Sequence, residues 1–285
     1  MSALKIGVII STYNNPKWLE KTLWGYMSQK RPADEIIIAD DGSGPDTRRL
    51  IEKYSTVLPI KYVWHEDCGF CKTTILNKAI LAADSAYLIF TDQDCIPRED
   101  FIYVHEYYAA KGSFLSGGYF KLPMNISQSI TKDDIFSGRA FSLRWLISKG
   151  IKMKFKMTKL FRFPAWSRMM NSITPARATW NGMNSSGWKS DIVEANGFDE
   201  RMKYGGEDRE LGERLVNAGI RPIQIRYSAI TLHLDHQRPY RNAEARRIND
   251  EIRSATKLNH ATKTDFSIFA QSILNGIVTS RYKGL

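Results

Sequence analysis

The stretch AYLIFTDQD, residues 86–94, is apolar and rich in β-forming residues up to Thr91 and then turns acidic at Asp92 and Asp94. That is the pattern of a strand buried on both faces and ending in a polar loop. Working outward, the pattern recurs at KIGVIIS (5–11), followed by Thr12, Tyr13 and Asn14, and again at Glu35 to Ala39, followed by Asp40, Asp41 and Gly42. Helical spacing fills the intervals. Asn14, Asn15 and Pro16 offer a helix start ahead of Trp18, Leu19, Thr22, Leu23 and Tyr26. Further helices are expected over 46–54 and 73–83, with a strand at 60–64 between them. The alternation predicts an α/β fold with a Rossmann-like, mostly parallel sheet flanked by helices. Such sheets bind ligands at the carboxyl ends of their strands, and the polar clusters stand there.

After Pro123 the pattern loosens. Between Lys132 and Ala178 there are eleven Lys and Arg against two acids, a net of +9 out of +11 for the whole chain. The reading divides the chain into a ligand-binding half (1–120), a basic aromatic helical insertion that forms a lid or a membrane contact (121–178), a second catalytic half (179–240) and a helical extension (241–285). Within these, a strand or irregular segment is expected over 180–187, helices over 189–195 and 207–218, and one or two strands within 220–233. Phe266, Phe269, Ile273 and Ile277 are spaced as an amphipathic C-terminal helix.

Composition excludes several classes. Apolar residues at 43% and charged residues at 25% are those of a folded globular chain, not a disordered or fibrous one. No stretch reaches the roughly 18 apolar residues of a membrane span, and no secretory leader is expected. Cys68, Cys71 and Cys95 are too few for a disulfide framework and lack companions for a zinc site, so free thiols in a reducing cytoplasm are expected. There is no GxGxxG after the first strand and no GxxxxGK[ST] anywhere, which disfavours dinucleotide and P-loop chemistry.

The acids carry the chemistry. Asp92 and Asp94, two positions apart after a buried strand, can converge with the intervening Gln93 on a hard divalent cation that bridges a diphosphate. Asp40 and Asp41 can accept hydrogen bonds from a nucleobase or ribose, or simply close a turn ahead of Gly42. Gly205 and Gly206 allow close backbone approach, and Glu207 and Asp208 then open a helix. His233 and His236 follow an apolar segment at a spacing that lets both reach one metal. In the segment Trp180 to Asn184, Trp180 either stacks on a sugar ring or belongs to the core.

In their order, VIISTYNN (8–15), IIIADDGSG (36–44), LIFTDQDCIP (88–97) and NGFDERMKYGGEDRELGERL (196–215) resemble the family 2 glycosyltransferases of GT-A fold. The C-terminal half is similar to the galactosyltransferase and chondroitin-polymerase type. The resemblance implies an inverting, metal-dependent enzyme that moves a hexose or N-acetylhexosamine from a nucleotide sugar, most simply UDP-linked, to a glycan or lipid-linked glycan in surface polysaccharide synthesis. It implies a donor site of Thr12, Asn14, Asp40 or Asp41, Lys72, Asn77, Asp92, Gln93 and Asp94. Mn²⁺ (or Mg²⁺) would be held by Asp94 and Asp92 with His236 first and His233 second. Asp208 corresponds to the base, with Glu207, Gly206, Trp180 and Asn184 on the acceptor side. The enzyme would work in the cytoplasm or at the inner membrane face, where the basic segment would meet anionic lipid. The alternative, a nucleic-acid-binding module using Trp145, Phe155, Phe161, Phe163 and Trp166 among the cations, leaves the acids unexplained.

Overall fold

The computed structural model of the protein describes residues 4–237 and 242–267. Its first half alternates as expected: β1 (Ile6–Thr12), α1 (Pro16–Met27), β2 (Glu35–Asp40), α2 (Pro45–Tyr54), β3 (Ile60–Trp64), α3 (Lys72–Ala82) and β4 (Tyr87–Asp92). Then come β5 (Cys95–Pro97), α4 (Phe101–Tyr108), β6 (Ser113–Ser116) and β7 (Gly118–Lys121). The basic segment forms α5 (Met124–Ser129), α6 (Lys132–Phe136), α7 (Leu143–Ser148) and α8 (Pro164–Ile173), with 3-10 turns at Arg139–Phe141 and Phe155–Leu160. The remainder is β8 (Ser185–Trp188), α9 (Lys189–Glu194), α10 (Glu207–Asn217), β9 (Arg221–Gln224), β10 (Ile230–His233) and α11 (Ala243–Leu258).

Seven strands form one sheet in the order β3-β2-β1-β4-β8-β6-β9. It is parallel except at β8, which runs antiparallel to both β4 and β6. Successive side chains of a strand point to opposite faces, and the burial follows that period. Ile6, Val8 and Ile10 of β1 pack with Leu19, Leu23 and Phe101 on one face, while Ile9 packs with Ile75, Ala79 and Trp180 on the other. Both faces being covered, the strands read as unbroken apolar runs.

A second sheet, β5-β10-β7, was not foreseen, and the segment 220–233 is split between the two sheets. Strands of three or four residues are too short to show a period. The basic segment is built onto this small sheet: Ile126, Ile135, Phe141, Leu146 and Leu160 share a core with Ile96, Phe120, Leu232 and Leu234. α11 packs against α10. The expected C-terminal amphipathic helix lies outside the described residues apart from Phe266, which is not helical. Among the described residues, no helix is long and apolar enough to cross a membrane.

Candidate active site

The ends of β1 and β4 lie side by side, and their polar residues meet there. Asp92 Oδ1 accepts hydrogen bonds from the Ser11 hydroxyl (2.6 Å) and from the Lys72 ammonium (2.8 Å). Lys72 reaches this point because it is the first residue of α3, directly after the Cys71 N-cap. Burial alone would depress its pKa, but Asp92, Asp208 and Glu207 outweigh burial and hold the ammonium well above its usual range. One cation thus serves acids from two halves of the chain.

Asp208 is delivered by the turn into α10. Gly205 (φ +111°) and Gly206 (φ +103°) adopt left-handed backbone that side chains with a Cβ rarely tolerate. Glu207 accepts from the Gly205 N–H (2.8 Å), and Asn249 of α11 donates to the carbonyls of Lys203 (2.8 Å) and Gly205 (3.1 Å). Gly182 lies so close that a Cβ there would stand 2.6 Å from Asp208 Oδ2. Asp208 Oδ1 is buried with no hydrogen-bond partner among the described residues. Burial pushes this carboxyl up to about 7; Glu207 and Asp92 add to the rise, and Lys72 opposes it. A carboxylate with a pKa near neutrality, one oxygen unengaged, is suited to take a proton.

Farther along the same loop, Asp94 meets the end of β10. Its Oδ2 lies 2.9 Å from His236 Nε2 and 3.8 Å from His233 Nε2, and the two imidazoles stack 5.7 Å apart. His233 Nδ1 faces the Leu234 carbonyl (2.9 Å) and His236 Nδ1 the Gln237 carbonyl (2.8 Å). A carbonyl only accepts, so both Nδ1 atoms donate, and Nε2 is the ring nitrogen that each histidine turns toward Asp94. The Asp94 carboxylate and the two Nε2 atoms converge, a set that a ring proton or a divalent cation can bridge. The mixed oxygen and imidazole set fits a divalent cation. Burial raises the Asp94 carboxyl, but the hydrogen bond from His236 and the charge of His233 override it and hold it below the usual range. Cys95 is also within ligand distance, yet burial and the neighbouring Asp94 and Asp92 push its thiol well up and keep it neutral. A cavity of about 260 Å³ opens beside His236, bordered by Asn15, Trp18, Met124 and Asp235.

The structure therefore brings Asp92, Lys72, Glu207 and Asp208 together, and separately Asp94, His233 and His236. Asp92 bonds Lys72 and Ser11, apart from the Asp94–histidine cluster with which it was expected to share a metal. Four other residues expected to contact ligand are fully enclosed in the fold, and Asp40, Asn77 and Asn184 are bonded there. Asp40 accepts from Ser43 N–H (2.8 Å) and the Tyr62 hydroxyl (2.8 Å), so it closes the turn. Asn77 bonds the backbone of Phe198. Asn184 donates to the carbonyls of Gly118 and Ala229. Trp180 is 0% exposed, wedged between Phe90 and Phe114.

Thr12 and Gln93 bond each other (2.5 Å) and so clamp β1 to β4. Asn14 joins the first loop to the second through Ser43 and Gly44, and Asp41 accepts from His65 (2.7 Å) and Cys71 N–H (3.0 Å). These residues shape the mouth. Cys68 and Cys71 are joined by a disulfide, contrary to the expected free thiols; the turn Cys68 to Cys71 brings their Cα atoms to 6.2 Å, within bridging range. Sequence reading passed over Tyr13, whose ring is 42% exposed at the mouth with its hydroxyl on Asp67 (2.9 Å). It also passed over Gly182 and Asn249, whose roles depend on distant partners.

Residues 7–160 match the family model described as Glycosyl transferase family 2, more than half of the chain. Chondroitin synthase of Escherichia coli is 28% identical over 238 residues, which is 75% of this chain and 32% of that protein. Validoxylamine A glucosyltransferase of Streptomyces hygroscopicus subsp. limoneus is 25% identical over 254 residues, 82% of this chain and 52% of that one. The chain thus spans about a third to a half of these relatives. Among solved structures, the mannosyltransferase PcManGT from Pyrobaculum calidifontis in complex with GDP-Man and Mn²⁺ superposes with a TM-score of 0.56 at 19% identity, covering 95% of this chain and 64% of that one. S. aureus TarS 1-349 in complex with UDP-GlcNAc gives 0.58 at 16%, covering 95% and 76%. At these identities the structural likeness speaks for the GT-A fold.

Proposed function

Since this chain belongs to glycosyl transferase family 2 and is a glycosyltransferase, we propose that it moves a hexose or N-acetylhexosamine from a nucleotide sugar, UDP-linked by preference, to a glycan or lipid-linked glycan acceptor on the cytoplasmic side of a membrane. The observation that carries this reading is Lys72 standing between Asp92 and the acids of α10. Asp208 accepts the proton of the acceptor hydroxyl as its oxygen bonds to the anomeric carbon. The bond from that carbon to phosphate breaks with its electrons on the departing nucleoside diphosphate. A single displacement inverts the anomeric centre and needs no covalent intermediate. Lys72 offers its charge where negative charge grows on the leaving group and holds the Asp92 carboxylate by a hydrogen bond. The exposed Tyr13 ring offers an apolar face to a nucleobase. Asp94, His236 and His233 are the residues that would hold Mn²⁺. When bound, such an ion supplies Lewis-acid charge to a diphosphate.

The test is a thermal-shift titration with UDP, GDP, CDP and their sugars, with and without Mn²⁺. Stabilisation by one nucleotide that depends on the metal is expected and would name the donor class. No response to any nucleotide, with or without metal, would overturn the reading.

A further inference from the structure

From Ile135 to Ser190 the chain contains no Asp or Glu. Ten cations stand between Arg139 and Arg177, and among the described residues only Arg139 (with Asp134) and Arg162 (with Glu99) have an acidic partner. Burying all of their charges against protein would be costly, so this surface is kept for water or for an anion. It is not a plain solvated basic face, however. Residues 152–156 read KMKFK and all five are exposed, with Met153 at 80% and Phe155 at 68%. Phe163 is 69% exposed just before α8. Along α8 itself Ala165, Met169 and Ile173, at i, i+4 and i+8, form an exposed apolar stripe beside Arg168. The two parts adjoin, because Trp166 of α8 donates to the carbonyl of Thr158 (3.2 Å).

Large apolar side chains interleaved with unpaired cations match the two halves of a phospholipid surface: acyl chains beneath, anionic headgroups above. We infer that residues 147–173 form a docking surface for an anionic phospholipid bilayer, with Met153, Phe155, Phe163 and Ile173 entering the interface and Lys152, Lys154 and Lys156 at headgroup level. A soluble polyanion would make use of the cations and leave the apolar residues in water. The surface is tied to the reaction centre: Lys159 lies over the Tyr119 ring (5.6 Å), and that ring faces His233 (5.9 Å). A membrane seated there would hold the metal end of the cleft near the lipid.

Co-sedimentation tests this on the full chain, with vesicles of phosphatidylcholine alone or mixed with phosphatidylglycerol, at low and high salt. Binding is expected only to the anionic vesicles and should weaken as salt rises. The variant K152E/K154E/K156E should lose about 100-fold or more of its vesicle affinity. The variant M153S/F155S, which keeps every charge, should lose about tenfold or more. Both variants alter exposed residues outside the cleft and should keep the parent's melting temperature and nucleotide response, so failure of docking is distinguishable from failure of the transferase reading. Equal binding to neutral and anionic vesicles, or none to either, would overturn the inference. So would unchanged affinity in M153S/F155S, which would mark the surface as a site for soluble polyanions.

Discussion

Lys72 donates to Asp92 Oδ1 at 2.8 Å while its charge also acts on Asp208, which comes from the first turn of α10, well over a hundred residues later in the chain. In the proposed mechanism the pair couples the donor side of the cleft to the base. Without the cation, Asp92, Glu207 and Asp208 would crowd three negative charges into one partly buried space.

Lys72→Met is therefore expected to act twice. Loss of a charge-assisted hydrogen bond of about 1.5–3 kcal/mol should lower kcat/KM by about 10- to 100-fold. The pH dependence of kcat should move upward as well, since Asp208 loses the charge that favours its ionised form. Steady-state kinetics over pH 5–9 measures both; an unchanged pH profile would remove Lys72 from the base's environment.

The proposed base, Asp208, can take a proton only when ionised, so turnover should rise with pH through about 7 and level off above it. Asp208→Asn should cut kcat by about 10²-fold or more and leave donor affinity nearly intact. The folded chain holds this proton more tightly than the unfolded chain, where aspartate titrates near 3.8. Ionised Asp208 thus costs stability above about pH 7, and the cost fades as pH falls toward 4. The Asn variant should accordingly melt above the parent at pH 8 and alongside it near pH 4.

Gly182→Ala places a Cβ 2.6 Å from Asp208 Oδ2. The carboxylate must move, so kcat should fall by about 10²-fold with the fold preserved. Circular dichroism and nucleotide binding would show that only the base has been displaced. Full activity would mean that the carboxylate has room the structure does not show.

Metal binding should discriminate between the two histidines. His236 Nε2 is 2.9 Å from Asp94 Oδ2 and His233 Nε2 is 3.8 Å. Asp94→Ala should abolish Mn²⁺-dependent stabilisation by nucleotide, and His236→Ala should weaken it more than His233→Ala. Calorimetric Mn²⁺ titration reads the order directly, and the reverse order would reassign the ligands.

The large sheet was legible because strands covered on both faces leave continuous apolar runs such as Gly7 to Ile10 and Ile36 to Ala39. The acids were legible because they follow such runs or open a helix. What could not be read was which polar residues are spent inside the fold. Asn184 and Asn77 are indistinguishable in sequence from ligand-binding amides, and only contacts with Gly118, Ala229 and Phe198 show them to be structural. Trp180 was equally open until Phe90 and Phe114 closed over it. Lys72 gained its importance from Asp208, a partnership with no local signature.

The placement of β10 between β5 and β7 also has a kinetic side. Asp94 is made early, but His233 and His236 leave the ribosome about 140 residues later. β7 is complete at Lys121 and β10 begins at Ile230, so at about 5–20 residues per second the nascent chain spends roughly 5–22 s with β5 and β7 made and their shared partner strand missing. Neither has its sheet partner throughout that interval. Closing the gap is a pairing of high contact order, which makes it a slow event of folding. The residues that would grip the metal are therefore completed only when that late strand docks, and a chain stalled before it would carry the donor-side acids with half a metal site.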